Sequence, residues 1–437
     1  MTPRAAAVKA LLRQEQDGYA NLVLDAVLKQ CTPPLAGRDA AFAARIFYTV
    51  VERLHLLDYM LAPFLKKPIQ KLDAPVRAIL RSGLAQACFM QVPLPAAVNE
   101  SVKLTRTFGK ASAAGMVNAV LRRAAAVSVK AEGFADPLER LTIYYSLSQP
   151  VAQLLLDQYG PQEAEAMAKA FYTPQPTWIR ANPLQTDDTA LASALQKEGT
   201  SVQNGPWPHC LQVAFAGSPA ATKPFARGAY HVQGLPSQYA ALCLAPHPGQ
   251  RVADLCAAPG GKSLTLAELM HDEGELYSGE AVQSRVSLLQ RAFARCGIHC
   301  AHALHADATQ YHEEWGSFDR VLCDVPCSGL GTIGKKPDVR YKTLDGIQEL
   351  LNIQQKILQN GARYLAQNGR LVYSTCTVNR AENEEQVRTF LQHNPDFTTL
   401  APQQAFPGTQ QTDYGTLFLP QHTGTDGFFV SILQRRR

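Results

Sequence analysis

An α/β fold around a parallel sheet is the fold class that this 437-residue sequence predicts for its C-terminal half. Between residues 236 and 437, short apolar runs alternate with longer helical patterns, as strands alternate with crossover helices. Residues 1–145 carry helical periodicity alone, and residues 146–235 mix helical stretches with short β-type runs. The chain is therefore expected to contain an all-α helical bundle, a small α+β connector and an α/β domain, in that order.

The helical region is predicted from apolar residues that recur three and four positions apart, as on one face of an amphipathic helix. One such face is formed by Ala43, Ile46, Phe47, Val50, Leu54 and Leu57. The predicted helices are Pro3–Gln16, Ala20–Cys31, Asp39–Leu61, Ala74–Met90, Ala96–Phe108 and Ala113–Val127. A compact bundle follows, because each helix has one apolar face to bury.

The connector and the α/β domain are predicted from shorter runs bounded by turn residues. The connector is expected to contain helices at Pro150–Tyr159, Pro161–Phe171 and Asp187–Glu198, and strands at Thr177–Asn182 and Cys210–Phe215. The α/β domain is expected to contain strands at Arg251–Leu255, Leu276–Gly279, Ala301–His305, Val321–Cys323 and Arg370–Ser374, with Gly427–Leu433 as an antiparallel edge strand. Its predicted helices are Lys262–His271, Val282–Ala294 and Asp345–Leu365.

Positive charge is concentrated in the helical part. Residues 1–150 contain 19 Lys and Arg against 11 Asp and Glu, a net charge of +8, whereas the remainder contains 23 against 26, a net charge of −3. A basic helical module indicates a polyanionic partner, and nucleic acid is the first candidate. The alternative, a basic surface that is merely solvated, stays open on charge alone.

Composition excludes several classes of protein. A hydrophobic content of 46% with 18% charged residues fits a folded soluble chain and argues against general disorder. No apolar run reaches the roughly 18 residues of a membrane span, and the N-terminal residues read as an amphipathic helix instead of a signal peptide. Ten cysteines without regular spacing indicate reduced thiols. We therefore expect a cytoplasmic protein with no membrane partner.

A short strand, a small-residue turn and a helix follow one another between Val252 and Met270. The strand ends near Asp254, the turn is Cys256–Gly261 with two glycines, and a helix begins near Lys262. Glycines let a ligand approach the backbone, and the helix N-terminus offers free N–H groups. The spacing is neither that of a dinucleotide fingerprint nor that of a P-loop. The turn suits a nucleoside ligand with a carboxylate, such as S-adenosylmethionine. The alternative is an ordinary βα turn that binds no ligand.

Acidic residues follow the next two predicted strands. Glu280 is placed to bind ribose hydroxyls, as acids do on nucleotide-binding sheets of this kind. Asp307 ends the following strand and is placed to contact the exocyclic amine of adenine. Each acid is a weak signal alone, and their order along the chain strengthens the prediction of a nucleoside site.

A carboxylate and two thiols follow two later strands. Asp324 and Cys327 lie in the segment RVLCDVPCSGLG, and Cys376 lies in LVYSTCT. Because consecutive strand ends of a parallel sheet are adjacent in space, the two cysteines are expected to face one site. The alternative is that both are small core residues, which is the commoner role of cysteine.

A zinc site was the competing interpretation of the cysteines and histidines. The residues concerned are Cys296, His299, Cys300, His302, His305, Cys323 and Cys327. No paired C-x-x-C spacing accompanies them, which disfavours zinc. The prediction is that the protein binds no metal.

The basic segment Lys335–Lys342 follows the glycine-rich turn after Cys327. Basic residues beside Tyr341 suit a loop that contacts phosphates and stacks a base. The alternative is a solvated charged loop.

These segments together resemble the RsmB (Sun) subgroup of the 5-methylcytosine RNA methyltransferases, which act on small-subunit ribosomal RNA. In the catalytic half the matching motifs are Ala257–Lys262, Asp324–Gly331, Pro337-Asp338, Ser374-Thr375-Cys376 and Asp426–Phe429. The helical half resembles the NusB-type RNA-binding fold, in Gly37-Arg38-Asp39, Val76–Gly83, Ala97–Leu104 and Val117–Arg123. The resemblance covers nearly the whole chain.

The resemblance implies a Rossmann-like methyltransferase sheet after a NusB-like bundle, with S-adenosylmethionine as cofactor and no metal. It also implies 16S ribosomal RNA, and no DNA, as the partner of a monomeric enzyme. The implied cofactor-binding residues are Cys256, Ala257, Ala258, Pro259, Gly260, Gly261, Lys262, Glu280, Asp307 and Asp324. Cys376 is implied as the nucleophile, Cys327 as the group that helps to release the product, and Asp324 as the contact to the base.

Three positions depart from the usual pattern of the family. Glu280 replaces Asp, Val325 replaces Ala, and Gly234 replaces an acid that often follows Gln233. None of these changes removes a catalytic group.

The implied mechanism follows from the chemistry of cytosine. A thiolate of Cys376 that adds to carbon 6 makes carbon 5 nucleophilic enough to accept a methyl group. A protonated Asp324 would donate to the ring nitrogen, and the base must be splayed out of any stack to be reached. Four alternatives remain at this point: attack by Cys327, transfer RNA as the substrate, a non-catalytic RNA-binding or assembly factor, and a nicotinamide oxidoreductase. The glycine spacing disfavours the last of these.

Overall fold

The computed structural model describes residues 1–16, 20–35, 37–215 and 217–436, and of Asn21 it describes the backbone alone. The chain divides into two compact units. Unit 1 comprises Met1–Lys169 together with Lys335–Leu344, and unit 2 comprises Ala170–Gly334 together with Asp345–Arg437. A short segment from the C-terminal half therefore belongs to the unit that the N-terminal residues form.

Unit 1 is helical, as its periodicity predicts. Its helices are α1 (Pro3–Gln14), α2 (Ala20–Lys29), α3 (Gly37–Glu52), α4 (Leu54–Leu61), α5 (Ala74–Phe89), α6 (Leu94–Thr107), α7 (Ala114–Ala124), α8 (Pro137–Glu139) and α9 (Gln149–Ala170). Side chains from α1 to α7 form one core, in which Phe47, Val50, Leu80 and Leu84 are fully buried. The two helices predicted on either side of Gly160 form α9, whose helical geometry is interrupted at that glycine.

The predicted helix Asp39–Leu61 is two helices in the structure, because α3 and α4 are separated at Arg53. Tyr341 satisfies the backbone at this break. Its hydroxyl donates to the carbonyl oxygen of Val51 at 2.6 Å and accepts from the N–H of Leu54 at 3.2 Å. Backbone groups at helix ends need such partners from outside the helix. The partner here is 287 positions away, which is beyond the reach of local periodicity.

The basic segment Lys335–Lys342 is anchored inside unit 1. Arg340 is fully buried, and its guanidinium donates to the carbonyl oxygen of Glu52 at 2.8 Å. The ring of Tyr341 packs edge-on against His55, with ring centroids 5.1 Å apart. The hydroxyl and the ring of Tyr341 therefore both contribute to packing inside unit 1. That Tyr341 stacks a base stays a prediction.

The connector forms a four-stranded antiparallel sheet in unit 2, with strand order β2-β3-β1-β4. Its elements are β1 (Thr177–Ala181), α10 (Asp188–Lys197), β2 (Ser201–Asn204), β3 (Cys210–Ala214), α11 (Lys223–Ala226) and β4 (Tyr230–Val232). Arg180 on β1 donates to Glu268 at 2.6 Å, and His231 on β4 contacts the other oxygen of Glu268 at 3.1 Å. All three side chains are buried. The connector sheet is thereby fixed to the helix that carries Glu268.

A second sheet of nine strands dominates unit 2, with order β11-β12-β13-β9-β8-β5-β6-β7 and β10 paired to β13. Its strands are β5 (Arg251–Asp254), β6 (Glu275–Glu280), β7 (Ala301–His305), β8 (Phe318–Asp324), β9 (Leu365–Thr375), β10 (Phe397–Leu400), β11 (Gln410–Thr412), β12 (Gly415–Phe418) and β13 (Phe428–Arg435). Its helices are α12 (Leu235–Leu244), α13 (Gly261–Leu269), α14 (Gln283–Cys296), α15 (Ile347–Tyr364), α16 (Glu384–His393) and α17 (Pro420–Thr423). Strands β5 to β9 pair in parallel, which confirms the predicted α/β class.

The last strand, β13, is antiparallel to its neighbours, as its late position suggested. It does not lie at the edge of the sheet, because it sits between β9 and β12. Strands β10, β11 and β12 were not predicted from the sequence, because they have three or four residues each and little apolar pattern. These short strands extend the sheet beyond β13.

No helix in residues 1–16, 20–35, 37–215 and 217–436 has both the length and the apolar character that crossing a bilayer requires.

Candidate active site

Three strands end close together where the strand order of the large sheet reverses, between β8 and β5. β5 ends at Asp254, β8 ends at Asp324 and β9 ends at Thr375. The parallel register pairs Asp254 with Leu322 and Asp324 with Ser374. Ligands of open α/β sheets bind at the carboxyl edge beside such a reversal. The side chains that follow these strands therefore share one region.

The turn Cys256–Gly261 connects β5 to α13 and presents the N-terminus of that helix to the site. Gly260 precedes the helix with a φ of 108°, in the left-handed region that favours glycine. The N–H of Ala257 donates to the carbonyl oxygen of Gly279 at 2.8 Å, which fixes the turn against β6. A helix N-terminus held beside strand ends attracts a carboxylate or another anion through its free N–H groups.

Several buried polar atoms have no hydrogen-bond partner among the described residues, and two of them lie beside the N-terminal half of α13. These two are Oδ1 of Asp254 and Nε2 of Gln233. The other polar atom of each side chain is occupied, since Ser263 donates to Asp254 at 2.7 Å and Thr265 donates to Gln233 at 2.8 Å. Of these two unpaired atoms, Oδ1 of Asp254 can accept a hydrogen bond and Nε2 of Gln233 can donate one. S-adenosylmethionine carries an ammonium and a carboxylate at its methionine end, so this donor and acceptor pair fits that cofactor.

The carboxyl group of Asp254 is only 1% exposed. Burial raises the pKa of Asp254 from its usual value of 3.8 to about 7, and the nearby charge of Asp324 acts in the same direction. The hydrogen bond from Ser263 and the charge of Lys262 oppose this rise. The group is therefore partly protonated near neutral pH, and a cation beside it would favour the carboxylate.

Glu280 and Asp307 lie at the same carboxyl edge, after β6 and β7. Glu280 is 5% exposed; its carboxylate accepts from the N–H of Val282 at 2.9 Å and pairs with Arg285 at 3.1 Å. Arg285 also donates to the carbonyl oxygen of Ala258 at 2.8 Å, so it links the end of β6 to the turn before α13. Asp307 is exposed. Their contacts to ribose and adenine stay predictions.

Lys262, Asp324 and Ser374 form a chain of polar contacts across the site. Nζ of Lys262 lies 2.6 Å from Oδ2 of Asp324, and the hydroxyl of Ser374 donates to Oδ1 at 2.7 Å. Burial acts to lower the pKa of Lys262, but the charge and hydrogen bond of Asp324 outweigh it and raise the pKa above its usual 10.5. Lys262 is therefore an ammonium at neutral pH, and both oxygens of Asp324 act as acceptors.

Cys327 and Cys376 meet at the ends of β8 and β9. Their sulfur atoms lie 3.2 Å apart, and both side chains are half-buried. The N–H of Gly331 donates to the carbonyl oxygen of Cys376 at 3.1 Å, which ties the two loops together. A side chain at Gly331 would collide with the backbone of Gly427, because a Cβ atom there would lie 1.9 Å from its oxygen. Glycine is therefore required at this close approach.

The two sulfur atoms are within hydrogen-bond distance, and either of them could be the donor. The hydrogen bond with Cys376, followed by burial and by the charges of Cys376 and Glu382, raises the pKa of Cys327 well above its usual value. A thiol at Cys327 that donates to the sulfur of Cys376 stabilises a thiolate at Cys376. Thiolates, not thiols, are the nucleophilic form of cysteine.

Several residues of the site were missed by sequence reasoning. Gln233 was noted only for the residue that follows it, Ser374 only as part of a motif, and Lys262 only as a cofactor residue. Ser374 at the end of β9 and Lys262 at the start of α13 are visible in the sequence, but the sequence does not show that both contact Asp324. In the described part of the chain, no group of three or more His, Cys, Asp or Glu side chains is arranged to hold a metal ion.

Family models match three consecutive parts of the chain. Residues 1–126 match the NusB family, residues 151–218 match the ferredoxin-like domain of RsmF/B-like methyltransferases, and residues 241–434 match the 16S rRNA methyltransferase RsmB/F model. "Probable ribosomal RNA small subunit methyltransferase B" of Bacillus subtilis strain 168 is 34% identical, over 99% of this chain and 98% of that protein. The chain belongs to the ribosomal RNA small subunit methyltransferase B family.

Solved structures agree with this family membership. The crystal structure of PH0851 superposes with a TM-score of 0.83 at 25% identity, covering 100% of this chain and 99% of that one. A methyltransferase homologue from Pyrococcus horikoshii gives a TM-score of 0.61 at 26% identity, covering 69% of this chain and 100% of that one. The predicted family and fold class are confirmed, and by family the chain is an S-adenosylmethionine-dependent RNA methyltransferase.

Proposed function

We propose that this protein transfers a methyl group to carbon 5 of a cytosine in RNA through a covalent adduct with Cys376. The observation that carries the proposal is the pair of sulfur atoms 3.2 Å apart, beside the carboxylate of Asp324. Two thiols and an acid at neighbouring strand ends match the needs of a reaction that must both form and break a bond to carbon 6. An RNA methyltransferase that acts on oxygen or on an exocyclic nitrogen needs no such thiol pair.

Cys376 is proposed as the nucleophile. Its thiolate adds to carbon 6 of the cytosine, and the electron pair displaced from the ring makes carbon 5 nucleophilic. The thiol of Cys327 supports this choice, because it stabilises negative charge on the neighbouring sulfur atom.

Cys327 is proposed as the group that frees the enzyme. Once Cys376 is bonded to carbon, it no longer bears the charge that raises the pKa of Cys327. Cys327 then loses its own proton to solvent more readily, and as a thiolate it can take the proton from carbon 5. Loss of that proton restores the double bond between carbon 5 and carbon 6 and expels the thiolate of Cys376.

Asp324 is proposed to contact the base as a carboxylate. The mechanism implied by the family resemblance has a protonated Asp324 that donates to the ring nitrogen. With the Lys262 ammonium 2.6 Å away and Ser374 donating to the other oxygen, acceptance from the exocyclic amino group of cytosine fits better. The Lys262 ammonium then stabilises negative charge that develops on the ring.

The cofactor residues are proposed as the sequence analysis named them. The turn Cys256–Lys262 would bind the methionine end, with Asp254 and Gln233 as additional partners, and Glu280 and Asp307 would bind the nucleoside. S-adenosylmethionine, when bound, supplies the electrophilic methyl group that the activated carbon 5 attacks. The longer side chain of Glu280 keeps the two oxygen atoms that a ribose needs.

The proposed substrate is 16S ribosomal RNA. The names of the relatives and the match of residues 241–434 to the RsmB/F model support this choice over transfer RNA. We propose three domains: a NusB-like RNA-binding bundle (1–145), a connector (146–235) and the methyltransferase domain (236–437). Family matches to residues 1–126, 151–218 and 241–434 support these boundaries. We also propose that the enzyme acts as a monomer.

Bisulfite sequencing of small-subunit ribosomal RNA tests the proposed reaction and substrate. Transcribed RNA is incubated with the purified protein and S-adenosylmethionine, and cellular RNA is compared with and without the gene. One protected cytosine that depends on the protein is expected in both. Methylated RNA without 5-methylcytosine would refute the reaction, and a protected cytosine only in transfer RNA would refute the substrate.

A further inference from the structure

The loop after β8 contains Cys327 and is called the Cys327 loop, and the loop after β9 contains Cys376 and is called the Cys376 loop. Glu382 contacts both loops and is fully buried. Its carboxylate lies within hydrogen-bond distance of five donor atoms from four residues. Oε2 accepts from the N–H of Ser328 at 2.7 Å and from Nε2 of Gln354 at 3.0 Å. Oε1 accepts from the hydroxyl groups of Ser328 at 2.5 Å and Thr377 at 3.3 Å, and from Nδ2 of Asn379 at 3.0 Å. Its partners in the described residues are hydrogen-bond donors alone.

The carboxylate contacts the residue that follows each of the two cysteines. Ser328 directly follows Cys327, and Thr377 directly follows Cys376. The hydroxyl groups of Ser328 and Thr377 also contact each other at 2.7 Å. One carboxylate oxygen of Glu382 therefore binds the residue after each cysteine, and through them it fixes the relative position of the two thiols.

If an amide nitrogen replaced either oxygen of Glu382, at least one hydrogen bond to that position would be lost. The amide of Gln354 is oriented by its second contact, because its Nε2 also donates to the carbonyl oxygen of Pro326 at 2.9 Å. The amide of Asn379 is oriented as well, because its Oδ1 accepts from the N–H of Ala381 at 3.2 Å. Each oxygen of Glu382 thus faces at least one donor that cannot reverse. The network therefore requires an acceptor atom at both oxygen positions of Glu382.

The two loops depend on this carboxylate unequally. The bond from Gly331 to the carbonyl oxygen of Cys376 at 3.1 Å joins the two loops, but the Cys376 loop has a further anchor in Asn383. The side chain of Asn383 donates to the carbonyl oxygen of Thr377 at 3.1 Å and accepts from the hydroxyl of Thr375 at 2.5 Å. The Cys327 loop has two of the shortest bonds to Glu382, both made by Ser328. Loss of the carboxylate is therefore expected to displace Cys327 more than Cys376.

We propose that Glu382 is the positioning residue that sets Cys327 against Cys376, and that it thereby controls the step that releases the methylated RNA. The inference rests on the proposed function. Glu382 does not touch the reacting atoms itself. In its absence, Cys376 still adds to carbon 6, whereas the proton on carbon 5 is removed slowly and the bond between Cys376 and carbon 6 persists.

The test uses the full chain, transcribed small-subunit ribosomal RNA and S-adenosylmethionine. Glu382→Gln keeps the shape of the side chain but places an amide nitrogen against fixed donors. Ser328→Ala removes the hydroxyl contact to Glu382 and keeps the N–H contact. It is the second test variant, for the case in which Glu382→Gln does not fold. Glu385→Gln is the control, because Glu385 is half exposed on α16 and pairs with Arg388. Denaturing gels measure the covalent protein–RNA adduct, and calorimetry measures cofactor binding.

We expect Glu382→Gln to bind S-adenosylmethionine as the wild type does, to release product at least about tenfold more slowly, and to accumulate the adduct. Ser328→Ala should accumulate less adduct in the same assay, and Glu385→Gln none. Release at the wild-type rate by both variants would overturn the inference. So would parallel loss of adduct, cofactor binding and thermal stability, since that pattern indicates a merely structural role.

Failure of the proposed function has a different signature. In that case the wild type forms no 5-methylcytosine, or an adduct persists when Cys376 is replaced. If the cysteine variants behave as proposed while Glu382→Gln and Ser328→Ala match the wild type, only the inference about Glu382 fails.

Discussion

The sulfur atoms of Cys327 and Cys376 lie 3.2 Å apart although the two residues are 49 positions apart in the chain. The proximity follows from the parallel pairing of β8 and β9, which places Asp324 opposite Ser374 and leaves each cysteine in the loop just beyond. A thiol within hydrogen-bond distance of a thiolate can stabilise it and later exchange a proton with the substrate. The two residues are thus expected to differ in role although they are the same amino acid.

Replacement of each cysteine separates these roles. Cys376→Ala should abolish methyl transfer and form no adduct, because no thiolate is left to attack carbon 6. Cys327→Ala should form the adduct and retain it, because the proton on carbon 5 is no longer removed efficiently. Denaturing gels with labelled RNA and a methyl-transfer assay measure both effects.

Cys88→Ala is a suitable control for the cysteine variants, since Cys88 is a half-buried free cysteine of unit 1. It should behave as the wild type. The opposite pattern, with an adduct in Cys376→Ala and none in Cys327→Ala, would identify Cys327 as the nucleophile.

Lys262→Met should lower both stability and activity. The substitution leaves the carboxylate of Asp324 without its ammonium partner in a site where both side chains are largely buried. We expect the free energy of unfolding to fall by about 1–3 kcal/mol and methyl transfer to fall at least about 100-fold. Chemical denaturation and single-turnover kinetics measure the two losses.

A double variant identifies the cause of the Lys262 effect. Lys262→Met combined with Asp324→Asn should recover part of the lost stability, because no unpaired charge remains, and should recover no activity. Lys103→Met is the control, since Lys103 is 70% exposed and pairs with Glu100 on α6. Additive losses in the double variant would show that the ion pair does not couple the two residues.

The raised pKa of Asp254 predicts a pH dependence of cofactor binding. Its carboxylate form binds the ammonium of S-adenosylmethionine, so affinity should increase as the pH rises through about 7. In the cofactor-free protein the native state binds this proton more tightly than the unfolded state does. The contribution of Asp254 to stability should therefore fall as the pH rises from 3.8 towards about 7.

Asp254→Asn should remove both pH effects, because an amide does not titrate. Calorimetric titration with S-adenosylmethionine at a series of pH values measures the first effect, and denaturation at the same pH values measures the second. An affinity profile that is unchanged by Asp254→Asn would exclude this carboxylate as the ammonium partner.

Tyr341→Phe should destabilise unit 1. The hydroxyl of Tyr341 bonds to Val51 and Leu54 at the break between α3 and α4, and its loss leaves both backbone groups without that partner. We expect a loss of about 1–2 kcal/mol in the free energy of unfolding, with RNA affinity unchanged. Tyr59→Phe is the control in the same unit, since Tyr59 is 45% exposed. Unchanged stability would show that the hydroxyl of Tyr341 does not hold the break between α3 and α4.

Most helices and the central strands were predictable from sequence because their apolar periods are local. β7 has the predicted bounds of Ala301–His305, and the predicted β5 is only one residue too long. The predicted Asp39–Leu61 helix was wrong at Arg53, where nothing in the local pattern marks an end. Side chains from Lys335–Leu344 satisfy the backbone there, and the sequence near the break carries no sign of them.

The sequence by itself determined the family, the order of the folded regions and the residue types at each strand end. These are encoded in short motifs and in local periodicity, so they can be read within a few residues. Only the tertiary structure decided which of those residues touch: Lys262 with Asp324, Cys327 with Cys376, and Glu382 with Ser328. Each of these contacts joins positions 49 to 62 residues apart. They exist because the parallel strands pair in one register, which is a property of the whole sheet and not of any segment.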